Sequence, residues 1–209
     1  PFLYGIMTLY WVFSKDFEGI ARYRDKELLD TQNTTYAKAL REIIITKGAY
    51  VIYTLILPMI FLPVAWWVTA LGFFIMHFIC GLLLTLVFQP AHVIEDTEFF
   101  VPDENSSVEN SWAVHQMKTT TNFGTNSAVF TWLVGGLNHQ IEHHLFPNIC
   151  HIHYRKISKI VKATAEEYHV PYYQYRTFYD AVKSHFILLE QLGKGVNYRP
   201  KLIGDPVEA

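Results

Sequence analysis

Cysteine is scarce in this sequence, with only Cys80 and Cys150 among 209 residues. The two lie far apart and form no CxxC pair, and Cys80 sits inside an apolar run, so we expect no disulfide framework and a reducing compartment. Positive charge is not in excess either, because 17 Lys and Arg residues face 19 Asp and Glu residues. A chain with this balance has no basic field to attract nucleic acid, which we exclude as a partner.

The sequence also lacks an initiator Met and the layout of a signal peptide, since it opens Pro1-Phe2-Leu3. Residues 1–13 are apolar but too short to cross a membrane, and they look like the tail of an earlier apolar element. We therefore expect the chain to be a piece of a longer protein. Apolar surface is abundant, because 51% of the residues are hydrophobic and 16% are aromatic.

The dominant feature is a stretch from Ala49 to Val93 that contains no Asp, Glu, Lys or Arg. A bilayer core of about 30 Å needs about 20 apolar helical residues, so this length predicts two transmembrane helices. We place them near 49–67 and 70–90, with the turn around 66–69, where paired tryptophans suit a membrane interface. The alternative, a buried hairpin of a soluble protein, is disfavoured by a run this long without charge.

Two prolines, Pro58 and Pro63, fall within the first predicted span, and we expect them to kink it. Lys38, Arg41 and Lys47 precede that span, and basic residues beside a span favour the cytoplasmic side. Because a two-span hairpin returns both of its flanks to one side, we expect the remainder of the chain to face the cytoplasm.

Beyond the hairpin, the apolar spacing predicts two amphipathic helices, over 155–168 and over 177–192. The predicted fold is therefore all-α: an integral membrane hairpin at about 49–91, followed by a cytosolic segment, 92–209, whose amphipathic helices accompany a histidine cluster. We find no internal repeat and no low-complexity linker, so the whole chain is expected to form one domain.

The histidine cluster lies in the stretch GGLNHQIEHHLFP, residues 135–147. In a helix, Gln140, His143 and His144 share one face, so an amide oxygen and two imidazoles could converge on a metal ion. His139 and His143 form a competing pair, and Glu142 could accept a hydrogen bond from an imidazole N–H. The alternative is a solvated histidine patch near lipid headgroups.

Other histidines are assigned by their position in the sequence. His92 ends the second predicted span, and a polar residue at a membrane boundary is a candidate for function. His115 and Gln116 could support the site or line a pocket, whereas His77, near mid-span, is expected to hydrogen-bond to a neighbouring helix. His151 and His153 are expected to orient the chain or to be exposed. His169 and His185 are expected to lie at the surface.

These motifs resemble those of a known protein family. QIEHHLFP, residues 140–147, is similar to the third histidine box of membrane fatty-acid desaturases, and the leading Gln resembles the front-end subgroup. The similarity extends to FQPAHVIE, to WAVHQ with the following TTTNF, to HLFPNICHIHYRKI and to DFEGIARY, so it covers most of the chain.

The resemblance implies a four-span helical membrane domain, of which this chain carries two spans, in the bacterial inner membrane or the endoplasmic reticulum. It implies two iron ions ligated mainly by histidine at the cytoplasmic face, with O2 as co-substrate reduced to water. The electron donor would be cytochrome b5 or ferredoxin with its reductase. The implied activity is desaturation of a fatty-acyl chain, on coenzyme A or in a lipid, as in a linoleoyl-CoA desaturase.

Carried over by position, the resemblance makes His92, Gln140, His143 and His144 metal ligands, with no catalytic residue apart from them. Four further residues could support these ligands without binding the metal themselves: Asn138, Glu142, His115 and Gln116. His139 departs from the family, in which an aromatic residue is common, so we do not count it as a ligand.

The resemblance is incomplete, because the family's other two histidine boxes precede the third and no histidine here precedes His77. We therefore expect a C-terminal half that is inactive by itself. Three alternatives stay open: a sphingolipid desaturase, a lipid hydroxylase of the same superfamily, and a non-catalytic membrane protein with a structural histidine cluster.

Overall fold

The computed structural model describes residues 2–104, 107–108 and 110–195. The predicted tail beyond residue 195 lies outside the described residues. Contacts divide the chain into two compact units, Pro1–Thr85 and Leu86–Ala209, and the helix Trp66–Phe88 runs through the division. The single domain expected from the sequence stays a prediction.

The first unit is helical almost throughout. Its opening residues form α1 (Phe2–Gly5), α2 (Met7–Tyr10), a π-helix (Trp11–Lys15) and α3 (Asp16–Asp25). A 3-10 turn (Asp30–Gln32) leads to α4 (Tyr36–Val51), a second π-helix (Ile52–Ile56), α5 (Leu57–Phe61) and α6 (Trp66–Phe88).

Two helical segments are long and apolar enough to cross a membrane, Tyr36–Phe61 and Trp66–Ala91. The predicted pair of spans is present, but the first helix begins earlier and the turn lies at 62–65 rather than 66–69. Trp66 and Trp67 open the second helix. The prediction placed them in the turn because tryptophan favours a membrane interface.

The two prolines of the first predicted span act differently. Pro58 lies inside the helix, and the π-helix Ile52–Ile56 precedes it, which is one way a helix accommodates a missing N–H. The predicted kink at Pro63 is wrong, because the helix has already ended at Phe61. Leu62 is extended, as the residue before a proline prefers to be.

Close backbone approach and a buried histidine hold the first unit together. A Cβ on Gly81 would lie 2.6 Å from the carbonyl oxygen of Gly5, so only glycine permits this contact, as is common between membrane helices. His77 Nε2 lies 3.0 Å from Tyr50 Oη, and its Nδ1 lies 3.0 Å from Thr8 Oγ1. The prediction that His77 hydrogen-bonds to neighbouring helices is confirmed.

The second unit is also mostly helical. A 3-10 turn (Gln89–Ala91) follows α6, and the unit continues with α7 (Trp112–Lys118), β1 (Asn122–Phe123), α8 (Ala128–Leu133) and α9 (Gln140–Leu145). It ends with a 3-10 turn (His151–His153), α10 (Tyr154–Glu167), β2 (Gln174–Tyr175) and α11 (Phe178–Gly193). The strands β1 and β2 form a parallel pair that the sequence did not predict.

The two predicted amphipathic helices correspond to α10 and α11. Thr177 caps α11 through a reciprocal capping box with Asp180, which fixes where the helix begins. In α10, Tyr154, Val161 and Ala165 are buried on one face. The predicted surface position of His185 is wrong: it is fully buried, and its Nδ1 lies 2.6 Å from the carbonyl oxygen of Val93.

Candidate metal centre

The helix α9 carries the central part of the candidate site. His139 precedes its first turn, and Pro147 follows its end at Leu145, so the helix is short. Asn122 in β1 holds the start of the helix, because its Oδ1 accepts from the backbone N–H of Ile141 at 3.0 Å. One side of a short helix is thereby fixed against the parallel strand pair.

His92 approaches this helix from the 3-10 turn that ends the second apolar segment. Its Nδ1 lies 3.4 Å from the backbone oxygen of Thr119, which can only accept, so Nδ1 carries the proton. The Nε2 atom therefore presents its lone pair, and it lies 3.5 Å from the side-chain amide of Gln140. Burial lowers the pKa of His92 and favours the neutral ring.

His144 is fixed in the same tautomer by a different residue. Its Nδ1 donates to Gln116 Oε1 at 2.7 Å, so the lone pair is on Nε2. Burial, followed by the nearby rings of His92 and His143, lowers the pKa of His144 to about 4. The ring is therefore neutral at pH 7 and can act as a ligand.

The amide of Gln140 is the point on which both rings converge. Its Nε2 lies 3.1 Å from Nε2 of His144 and 3.5 Å from Nε2 of His92. Its Oε1 is buried without a hydrogen-bond partner. A half-turn of the amide would exchange these two atoms and place an oxygen beside two imidazole lone pairs.

His143 lies at the edge of the same cluster. Its ring centroid is 5.9 Å from that of His144, and its Nδ1 lies 3.3 Å from Tyr154 Oη. The structure thus brings the four predicted ligands together: His92, Gln140, His143 and His144.

The chemistry of this donor set fits a metal ion of the iron type. Neutral imidazole nitrogen and carboxamide oxygen suit such ions, and an orphaned buried oxygen is satisfied by a cation. Within the described residues, no three His, Cys, Asp or Glu side chains are arranged to hold a metal ion. These histidines are therefore not arranged as a metal site by themselves.

Glu142, expected to accept from an imidazole, is engaged elsewhere. Its Oε2 accepts from Asn122 Nδ2 at 2.8 Å, and its Oε1 accepts from Tyr172 Oη at 2.9 Å. His139 Nδ1 lies 3.7 Å from Glu142 Oε2, which is too far for a hydrogen bond. Glu142 is fully buried and stabilises the helix rather than contacting the predicted ligands.

The other predicted supporting residues differ in what they contact. Gln116 contacts His144 directly, whereas Asn138 donates to Thr131 Oγ1 at 3.0 Å and to the carbonyl oxygen of Gly124 at 3.4 Å. Asn138 thus holds the loop before α9. His115 packs against Phe100 in a tilted arrangement, with ring centroids 5.2 Å apart, and lines a cleft of about 290 Å³ beside His92.

Several contributing residues escaped the sequence analysis. Asn122, Tyr172 and Thr119 reach the site or its supporting helix from separate parts of the chain. No local pattern marks them, although the buried Asn after three threonines was a polar residue in need of a partner.

Comparison with known proteins decides the family. The family model "Fatty acid desaturase" matches residues 1–176. The chain belongs to the fatty acid desaturase family. The predicted family and the all-α membrane fold with two apolar spans are therefore confirmed. No solved structure matches the chain.

Three curated relatives of this desaturase-family chain are named as lipid or fatty acid desaturases. An sn-1 linoleoyl-lipid 6-desaturase of Synechocystis sp. is 47% identical over 54% of this chain and 32% of its own length. A Delta(5) fatty acid desaturase A of Dictyostelium discoideum is 34% identical over 96% of this chain and 43% of its own length. An acyl-lipid (8-3)-desaturase of Mortierella alpina is 39% identical over 74% of this chain and 33% of its own length. The chain thus spans about a third to less than half of these relatives.

Proposed function

We propose that the gene product containing this chain is a front-end fatty-acyl desaturase, an oxidoreductase that introduces a double bond with O2 as co-substrate. The observation that carries this proposal is the convergence of two imidazole Nε2 atoms on the amide of Gln140, in a chain of the desaturase family. Relatives named as 6-desaturase, (8-3)-desaturase and Delta(5) desaturase favour the front-end class.

In this proposal His92, Gln140, His143 and His144 supply part of the ligand set of a di-iron centre. These residues would hold iron, which together with O2 would supply an oxidant strong enough to remove hydrogen from an unactivated acyl carbon. The overall reaction consumes one O2, two substrate hydrogens, two electrons and two protons, and it yields two waters.

The residues of this chain act by holding the ligands ready. Gln116 fixes the tautomer of His144 and Thr119 fixes that of His92, so both lone pairs point at one place before any ion binds. Burial lowers the pKa of both rings, which favours the neutral form that binds a metal and weakens competition from protons. Few donors are gathered here, so we propose that residues 1–209 alone do not support turnover.

The surroundings follow from the same proposal. In this proposal the protein is a multi-pass membrane protein of the bacterial inner membrane or the endoplasmic reticulum, with the ligands on the cytoplasmic face. The two apolar helical segments support it. The substrate is an acyl-CoA or an acyl-lipid, and the two electrons come from cytochrome b5 or a ferredoxin with its reductase.

The experiment is expression of the complete gene product in a host without front-end desaturases, followed by gas chromatography and mass spectrometry of its fatty acids. We expect a new double bond between an existing one and the carboxyl end, formed only when O2 is present. A hydroxylated acyl chain without a new double bond would contradict the desaturase assignment and favour the hydroxylase alternative.

A further inference from the structure

A basic cleft lies on the flank of α10 in the second unit. It has a volume of about 210 Å³ and is lined in part by Arg155, Ser158, Lys159 and Lys162. These residues recur at helical spacing, so their side chains leave α10 on one side. We call this cleft the basic pocket.

The positive charge of the basic pocket is not neutralised locally. Among the described residues, no acidic side chain forms an ion pair with Arg155, Lys159 or Lys162. Three cations on one flank of a helix repel one another, and an anion between them relieves that repulsion. The pocket is therefore suited to an anion rather than to a neutral ligand.

A buried imidazole provides a second, independent observation. His139 also lines the basic pocket, is fully buried, and has no hydrogen-bond partner on either ring nitrogen. A buried polar group without a partner costs free energy, so a ligand that accepts from its N–H would be stabilising. His139 thus places a buried imidazole without a partner in the wall of the pocket.

One buried carboxylate lies nearby, because Glu142 Oε2 is 3.7 Å from His139 Nδ1, so the three cations face a single negative charge. Glu142 accepts from Asn122 and from Tyr172, and the ring of Tyr172 forms part of the pocket wall. Both carboxylate oxygens thus already accept a hydrogen bond. The polar residues that complete the lining are Thr125, Asn126, Ser158 and Gln174.

We propose that the basic pocket binds a phosphate group, the chemistry shared by phospholipid headgroups, coenzyme A and free phosphate. A tetrahedral dianion or monoanion can accept from several cations at once, which matches three basic side chains and one imidazole donor. Assigning that phosphate to the acyl substrate rests on the proposed function, whereas phosphate binding itself does not.

The test measures binding to the complete, purified gene product in detergent by isothermal titration calorimetry. The probes are dihexanoyl phosphatidic acid, coenzyme A and inorganic phosphate, with dihexanoylglycerol as the phosphate-free control. The pocket variant is Lys159→Gln/Lys162→Gln. Its matched control is Lys156→Gln/Lys183→Gln, which removes two exposed lysines of the same unit that lie outside the pocket.

We expect at least one phosphate probe to bind the wild type more tightly than dihexanoylglycerol. The pocket variant should bind it about tenfold or more weakly, while the control variant keeps the wild-type affinity. Tightest binding of the lipid identifies a headgroup, tightest binding of coenzyme A identifies an acyl-CoA, and binding of inorganic phosphate alone identifies a free anion.

Equal affinities of the pocket and control variants would overturn the inference, and so would a wild type that binds no phosphate probe. Lys159→Arg, which keeps the charge, should retain binding and shows that a loss is not a folding defect. Double-bond formation without phosphate binding refutes only this inference. Phosphate binding without double-bond formation refutes only the proposed function.

Discussion

A single hydrogen bond decides where the lone pair of His144 points. Gln116 Oε1 accepts from Nδ1–H at 2.7 Å and leaves Nε2 free to face Gln140. A side chain that merely orients a ligand acts on affinity rather than on chemistry, because it determines how often the ring presents the correct atom.

We predict that Gln116→Leu weakens iron binding by about 10–100-fold, because the imidazole N–H is left without an acceptor. Gln116→Glu keeps an acceptor oxygen and should restore most of the affinity. The measurement is iron titration of the complete gene product. Equal affinities of the Leu variant and the wild type would show that Gln116 does not orient His144.

At the scale of single residues, the sequence predicts which side chains come together on one helix turn. It does not predict contacts between distant parts of the chain. Gln140, His143 and His144 share a face by spacing alone. Thr119 and Tyr172 lie 27 and 30 residues from their partners His92 and Glu142, and no periodicity predicts such pairs. His185 was assigned to the surface because its helix is amphipathic, but the residue lies on the buried face of α11.

At the scale of elements, α9 depends on support from outside itself. A six-residue helix is too short to be stable alone, so its position comes from its contacts. Asn122 provides two of them, one to the backbone of Ile141 and one to the carboxylate of Glu142. The parallel pairing of β1 with β2 in turn fixes Asn122.

We predict that Asn122→Ala lowers the free energy of unfolding by about 1–3 kcal/mol, because a buried N–H and a buried carboxylate lose their partner. Asn148→Ala, at an exposed position just beyond α9, is the matched control and should change little. Thermal unfolding in detergent, followed by circular dichroism, measures both. Equal melting temperatures for the two variants would contradict the supporting role of Asn122.

Element boundaries show which sequence signals were reliable. Thr177 and Asp180 form a capping box, a local signal, and the predicted start of α11 agrees with the structure. The turn between the apolar helices was misplaced because tryptophans suit either a turn or a helix end at an interface. Pro63, just beyond the helix end, marked the true connection.

At the scale of the whole molecule, the outward surface of the apolar helices is the property that requires a membrane. Large side chains such as Phe61, Leu62 and Leu83 are more than half exposed. Water would disfavour this much apolar surface, whereas lipid would not.

We predict that a membrane-impermeant maleimide labels Cys150 but not Cys80 in intact inside-out membranes. Both thiols are exposed in the structure, so water alone would let both react. In the proposed topology Cys80, which lies within α6, is shielded by lipid, whereas Cys150 faces the cytoplasm. Variants that retain only one of the two cysteines separate the signals, and equal labelling of both would contradict the membrane assignment.

The most direct test concerns the cluster around Gln140. Iron per protein is measured by mass spectrometry on the complete gene product as wild type, as His144→Ala, and as His153→Ala, in which a nearby exposed histidine is lost. We predict that iron falls sharply in His144→Ala, together with double-bond formation, and that His153→Ala keeps both. Full iron content in His144→Ala would contradict the assignment of this cluster as a metal centre.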